Sequence, residues 1–318
     1  MRRFLIPSLA MIAVLLGLPA AALAQSYPSK PIQLLVPFSP GNIVDIQARA
    51  TAEELRKVLG QQLAVVNKEG AAGMISFAEL TRAAPDGYTL LFAPNGQITL
   101  QPHLRKHMPF DPAKVDPICQ VFETRFAIVV GQSSPFKTFG DLVAAARKAP
   151  GKLSWGVSGI GSIPHLQWHI VEAAAGIETV PVPYKNYTQV APDTASGELA
   201  FSVMGIGSFT NQPLRVLMIL DERRSPAYPD APSAKELGFS AKVAGYGGIY
   251  APKGLSAAVH DKIATACRTV AKSPELKATF DRLGNELAYL DGPDFAARLA
   301  EDTKVKGEAV RALKLEVE

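Results

Sequence analysis

The chain has 318 residues, 47% of them hydrophobic and 19% charged, with a formal net charge of +4. That composition is globular and excludes intrinsic disorder. The charge is spread along the chain with no basic stripe among aromatics, which excludes nucleic acid as a natural partner.

The first element is an export signal over residues 1–24. Arg2 and Arg3 give the positive start, Leu9 to Leu18 the apolar middle, and Ala22-Leu23-Ala24 a small-residue cleavage site. Pro19 and the alanines after it interrupt the run, which argues against a retained anchor. No cysteine lies near the cleavage site to accept a lipid. Cleavage removes both arginines and lowers the formal charge from +4 to +2. The mature product, residues 25–318, is expected to be soluble and exported, with the bacterial periplasm as its compartment. Its length suits two α/β lobes better than one large core.

From there strands and helices alternate. Ile32 to Val36 (IQLLV) reads as a strand, followed by the turn Pro37-Phe38-Ser39-Pro40-Gly41-Asn42 and a helix from near Ile43 to Leu59. Ala48, Ala52, Leu55 and Leu59 recur at helical spacing, and Gly60 stops the helix. A strand at Leu63 to Val66, a Gly-rich loop at Lys68 to Gly73, a helix from Ile75 to Ala83 and a strand at Tyr88 to Phe92 follow. Strand Phe126 to Val130 and helix Phe139 to Ala149 open a second half. There strand Leu153 to Val157 runs into Ser158-Gly159-Ile160-Gly161-Ser162 and a helix from near Pro164. Strands around Val180 to Val182, Leu199 to Met204 and Arg215 to Leu220, with a helix from Val190, complete a second sheet. Beyond Pro252 the pattern is helical: Ala257 to Ala271, Pro274 to Leu283 and Pro293 to Leu313, with no new strands. The alternation predicts α/β lobes with mostly parallel sheets. The late helices should pack back on the first lobe. The expected boundaries are 25–124 plus 246–318 for one lobe and 125–245 for the other, with crossings near Cys119 to Arg125 and Lys242 to Tyr250. Cys119 and Cys267 could pair in an oxidising compartment. Nothing in the sequence brings them into range, however, and buried free thiols are the expected state.

The two strand–turn–helix units share one design. A helix N-terminus offers unpaired N–H groups and the positive end of the dipole, so each unit can receive an anion. Enzyme signatures fail at the same places. Pro164 breaks the dinucleotide fingerprint begun by Gly159-Ile160-Gly161. Gly156-Val157-Ser158-Gly159-Ile160 lacks the last glycine of a nucleophile elbow. His165 and His169, like His103 and His107, stand four apart, but no cysteine or carboxylate cluster makes them a metal site. His165 is expected at the helix mouth as a donor to an anion, and His169 as an ordinary helical residue. Asn42 and Asp45 also fit an N-cap and a third helical position, where capping alone would select them. Tyr184 follows a strand end, where sites in open α/β sheets gather.

Together these stretches resemble the Bug family, the extracytoplasmic solute-binding proteins of tripartite tricarboxylate transporters. The resemblance covers the mature chain and rests on YPSKPIQLLVPFSPG (Tyr27 to Gly41), AAPDGYTLLF (Ala83 to Phe92) and PGKLSWGVSGIGS with the following His165-Leu166. VPYKN (Val182 to Asn186), ERRSPAYPDAPSAKELGF (Glu222 to Phe239) and GGIYAPKG (Gly247 to Gly254) continue it. It implies a two-lobe periplasmic binding protein with two crossing hinge strands, of the type that closes like a flytrap on one small carboxylate. Carried over residue by residue, the ligand set is Phe38, Ser39, Gly41, Asn42 and Asp45, then Ser158, Gly159, Gly161, Ser162, His165 and Tyr184, with Gly73 and Asn95 as further wall residues. The chain departs from the family at Asn42, Ile43 and Val44, where glycines and threonine are usual. It departs again at Ile160, Ile163 and Pro164, where polar residues are usual, and at Ser202 to Gly205, which lacks an aspartate. A buried polar ligand group without a partner costs about 1–3 kcal/mol. These changes therefore favour a monocarboxylate or dicarboxylate with an apolar or aromatic body over citrate-like acids. The reading is a monomeric receptor with no cofactor, metal or catalytic residue, which delivers its ligand to membrane transporter subunits. A sensory receptor for a membrane kinase is the alternative; an exported hydrolase built on Ser158 or Ser162 with His165 stands behind both.

Overall fold

The structure is a computed structural model that describes residues 27–184, 187–240 and 242–316. The export signal, and Lys185 and Asn186 of the VPYKN stretch, lie outside the described residues. In the first half of the chain, β1 (Ile32–Val36) leads to α1 (Ile43–Leu59), β2 (Leu63–Asn67), α2 (Met74–Leu80) and β3 (Thr89–Pro94). Two single-turn helices, α3 (Gly96–Thr99) and α4 (Gln101–Leu104), precede the long β4 (Val115–Thr124). Then come β5 (Phe126–Gly131), α5 (Phe139–Lys148), β6 (Ser154–Val157), α6 (Ile163–Ala175), β7 (Val180–Pro183), α7 (Val190–Ser196), β8 (Phe201–Gly205) and β9 (Leu214–Ile219). The chain ends with β10 (Gly245–Pro252), α8 (Ala257–Val270), α9 (Pro274–Arg282), β11 (Glu286–Asp291) and α10 (Gly292–Leu313).

Two sheets result, ordered β11-β4-β10-β3-β1-β2 and β7-β6-β8-β5-β9. Each has parallel pairs (β1 with β2 and β3; β6 with β7 and β8), as βα alternation dictates. Both are nevertheless mixed, which corrects the mostly parallel expectation. Strand β10 returns antiparallel to β3 and β4, and β5 lies antiparallel to β8 and β9. Strand β11 is also new: the stretch between the late helices pairs with β4 and extends the first sheet.

The sheets are joined where β4 gives way to β5 and where the chain returns into β10. Arg125 alone separates β4 from β5. Its guanidinium donates to Asp221 beyond β9 (3.3 Å) and to Glu286 of β11 (2.7 Å), so one side chain ties both lobes at the crossing. Nearby, Gly207 after β8 meets the first lobe so closely that an added methyl would lie 1.7 Å from the Leu283 carbonyl and 2.2 Å from Ile43 Cδ1. Only glycine fits that junction.

Helix α1 shows why the elements form. Asn42 accepts from the Val44 N–H at 2.9 Å as N-cap, and Gly60 in the left-handed region closes the last turn. Between them Val44, Ala48, Ala52, Leu55 and Leu59 bury one stripe against Ile32, Leu34 and Val36 of β1. Helices α8 and α9 cover the same core through Ile263, Val270, Leu276 and Phe280. Cys119 of β4 and Cys267 of α8 are joined as a disulfide with Cα atoms 6.5 Å apart, which corrects the expectation of free thiols. Folding α8 back on the sheet is what brings together residues 148 positions apart.

Candidate functional site between the lobes

The first loop is held from below by Asp45. One of its oxygens accepts from the Gly41 N–H (2.9 Å) and Arg49 Nε (3.0 Å); the other accepts from Asn67 Nδ2 (2.8 Å) and pairs with Arg49 Nη2 (3.0 Å). Burial pushes the Asp45 carboxyl up, but the Arg49 and Asn67 side chains and the Gly41 N–H outweigh it and hold it below the usual range. Both oxygens are thus spent inside the loop. Asp45 braces the turn, and Asn67, which also donates to the Phe38 carbonyl (2.8 Å), is a partner that sequence reasoning missed. Ser39 Oγ is hydrogen-bonded to Glu69 at the rim.

Next to this loop, Gly70, Ala71, Ala72 and Gly73 all take positive φ. Gln97 Nε2 secures the turn through the Ala72 carbonyl at 2.7 Å. A methyl on Gly73 would lie 3.0 Å from Pro37 Cβ, so this turn sits directly against the first loop. Asn95 is placed differently. Its side chain is fully buried and donates to Asp302 (2.8 Å) and the Ala244 carbonyl (3.3 Å), so it belongs to the packing around β10 and not to a cleft wall.

The second loop is gripped from the opposite lobe. Gly159 and Gly161 have φ of 141° and 77°, and the Gly161 carbonyl accepts from Gln101 Nε2 of α4 at 2.9 Å. Gln101 is fixed in turn by Arg105 (2.8 Å). Ser162 has the extended backbone of an N-cap, yet its hydroxyl makes no cap bond, and the buried Oγ has no partner. Ile163, where the resemblance makes a polar residue usual, packs toward Gly96 of α3 and joins Leu100, Leu104, Leu166, Val243 and Val310 in an apolar cluster that spans both lobes. The first residues of α1 and α6, Ile43 and Ile163, therefore each touch the opposite lobe. Each helix start is thus packed at a contact between the lobes.

His165, in the first turn of α6, is buried against the Trp155 ring (centroids 5.9 Å apart). Its Nε2 lies 3.2 Å from Nε2 of His169, whose Nδ1 meets Glu172 at 2.8 Å. Glu172 also accepts from the Thr179 N–H and hydroxyl, each at 2.6 Å, and Trp168 Nε1 donates to that hydroxyl at 2.8 Å. This corrects the reading of His169 as an ordinary helical residue. His165 Nε2 is engaged with His169, and the buried Ser162 Oγ has no hydrogen-bond partner. Among the described residues no cluster of three or more His, Cys, Asp or Glu side chains is arranged to hold a metal, and no helix is long and apolar enough to cross a membrane. The Tyr184 hydroxyl donates to Asp193 at 2.6 Å; burial and that carboxylate push it up to about 12.

Burial, helped by His169, pushes the His165 imidazole down to about 4 from the usual 6.5. The unfolded chain therefore holds more protons between those values. The stability that rests on a neutral His165 is complete above pH 6.5 and is lost as pH falls through 4, by up to about 3 kcal/mol. His165→Gln should remove this part of the acid sensitivity. Urea midpoints of both proteins between pH 7.5 and 4 check it; parallel curves would contradict it.

Two cavities lie away from this junction. One of about 580 Å³ in the first lobe is lined by Gln33, Ile75, Glu79, Arg82 and Thr89. The other, of about 660 Å³ in the second lobe, is lined by Lys137, Phe139, Arg215, Tyr228 and Leu237.

A family profile described as "Tripartite tricarboxylate transporter family receptor" matches residues 47–315. A UPF0065 protein of Bordetella bronchiseptica is 30% identical over 298 residues, covering 92% of this chain and 88% of the relative. The structure of the periplasmic binding protein BugD superposes with a TM-score of 0.84 at 26% identity, over 92% of this chain and all of BugD. An R. palustris protein solved with adipate shares the fold (TM-score 0.84, 23% identity, 91% of this chain and 99% of the other). The chain belongs to the tripartite tricarboxylate transporter receptor family, the Bug-type periplasmic solute-binding proteins.

Proposed function

We propose that this chain is a periplasmic receptor that captures a small organic carboxylate between its two lobes, residues 25–124 with 246–318 and residues 125–245, and passes it to the membrane subunits of a tripartite tricarboxylate-type transporter. The observation that carries this reading is that the first residues of two strand–turn–helix units, Ile43 and Ile163, each meet the opposite lobe, with the buried Ser162 hydroxyl unpartnered at the second. The helices that follow, of 17 and 13 residues, carry the positive ends of their dipoles at these turns, which suits an anion. The ligand set is Phe38, Ser39, Gly41, Asn42 and Gly73 from the first lobe, with Ser158, Gly159, Gly161, Ser162, His165 and Tyr184 from the second. Asp45 shapes the first loop from behind. Ile43 and Ile163 flank the two mouths and favour an acid with an apolar body; the adipate held by the fold neighbour has that character.

Calorimetry on residues 25–318 with adipate, benzoate, citrate and glucose tests the reading. Adipate or benzoate should bind and citrate should bind more weakly. At 100 times its dissociation constant a ligand raises stability by about 2.7 kcal/mol, so a thermal shift should accompany binding. Tighter binding of citrate would overturn the apolar-body inference. Binding of glucose alone would overturn the carboxylate reading.

A further inference from the structure

We propose that His169 and Glu172 are positioning residues that set the tautomer of His165, so that capture of a carboxylate at this site takes up one proton from solvent. The inference rests on the carboxylate reading above and adds a coupling that the two loops alone would not produce.

The geometry leaves few arrangements. Glu172 receives the Nδ1–H of His169, so in the neutral pair His169 Nε2 carries a lone pair and accepts from His165 Nε2–H across 3.2 Å. His165 Nδ1 is then a bare acceptor. Among the described residues no hydrogen bond to that nitrogen is formed, and His165 lies in the first turn of α6, three residues after the N-cap Ser162, whose hydroxyl is unpartnered. A bare lone pair repels a carboxylate. Adding one proton resolves this: the new proton goes to His165 Nδ1, and the proton between the rings moves from His165 Nε2 to His169 Nε2. His165 then donates Nδ1–H to the ligand, and His169 becomes an imidazolium between His165 Nε2 and Glu172. The added positive charge faces the Glu172 carboxylate, which Thr179 holds with two further hydrogen bonds.

Among the described residues the surroundings add no competing charge. His169 and Glu172, both on α6, are the charges that act on His165. Strand β6 contributes Trp155, the segment after α6 contributes Thr179, and α4 contributes Gln101 on the Gly161 carbonyl, none of them titratable near neutral pH. Burial keeps the ligand-free His165 neutral.

The test uses residues 25–318 with adipate and benzoate as probes. One-proton coupling requires the affinity to fall about tenfold per pH unit between pH 7 and 9. The binding heat should differ between phosphate and Tris by the ionisation enthalpy of one proton. His169→Gln, which can still hydrogen-bond Nε2 but cannot carry the charge, should weaken binding at pH 7 and flatten the profile to within about twofold. A merely structural effect of that substitution would lower affinity equally at every pH and leave the slope intact, and this result overturns the proposal. Nitrogen NMR of the unsubstituted protein is the second readout: His165 should be protonated at Nε2 when free and at Nδ1 with the acid bound. Binding of either acid with equal heats in the two buffers and unchanged tautomers overturns the relay while the receptor reading stands. Failure of both acids to bind at any pH from 6 to 9 overturns both.

Discussion

Replacing both Cys119 and Cys267 by alanine is expected to cost about 5 kcal/mol, measured as the shift in urea unfolding between the native and substituted proteins. In the chain-entropy account a cross-link stabilises by restricting the unfolded chain, and the restriction grows with the logarithm of the closed loop; a separation of 148 residues gives about 5 kcal/mol. Few domains exceed about 15 kcal/mol in total, so this is a large share. The bond fastens β4, the strand that leaves the first lobe, to α8. Both cysteines are buried at 1% exposure or less, so reductant should act slowly on the folded protein and rapidly once urea opens it. A loss below about 1 kcal/mol would mean that packing of Ile263, Val270 and Phe280 already orders α8 in the unfolded ensemble.

That pairing also marks the limit of what the residues disclose by themselves. FAIVV is readable as a strand because a sheet covered on both faces selects an uninterrupted apolar run, and IQLLV because Gln33 alone breaks such a run; the turns after β1 and β6 announce themselves through proline and glycine. Strand β4 hides, because Asp116, Pro117 and Gln120 break any period. The fold tolerates Gln120 by giving its amide the Ala288 carbonyl (2.9 Å) and Arg298 of α10 (2.8 Å). Strand β11 hides because it is short, half-buried and at a sheet edge, with no alternation strong enough to separate it from a loop. At the site, the loops that carry the backbone groups are local features and were legible. What braces them is not local. Asp45 meets Asn67, Gly161 meets Gln101, and Gly207 meets Leu283 only after the sheets form. Glu172 lies three residues from His169, within reach on one helix turn, but its value to the site depends on Thr179 and on the burial of His165.

Lys306→Met is expected to cost about 3–5 kcal/mol, because it strands a buried carboxylate. Lys306 is fully buried in α10, where Nζ donates to Asp302 and to Thr99 Oγ1 (2.9 Å). Burial pulls the ammonium down to about 8 despite Asp302 beside it. Asp302, 8% exposed, also accepts from Asn95 Nδ2 at 2.8 Å. Removing the ammonium leaves the anion with neutral hydrogen-bond partners in a medium that screens poorly. The double variant Asp302→Asn with Lys306→Met keeps an acceptor for Asn95 and leaves no charge, so it should recover most of the loss; a buried pair is often replaceable even where neither half is. The difference between the sum of the single effects and the double effect, read from urea midpoints, should be 2 kcal/mol or more, about the range found for coupled neighbours. Additive effects would show that water reaches Asp302 in the single variant. The location gives the experiment its functional reach. Asn95 also bonds the Ala244 carbonyl, and Arg298 of the same helix lies 4.1 Å from the Tyr246 ring centre, so α10 is fastened to the strand by which the chain re-enters the first lobe. If that fastening keeps the crossing rigid, amide exchange at Tyr246 should accelerate in Lys306→Met beyond the loss in global stability, and return in the double variant. Exchange that merely tracks global unfolding would assign the pair to stability alone and leave the hinge to Arg125.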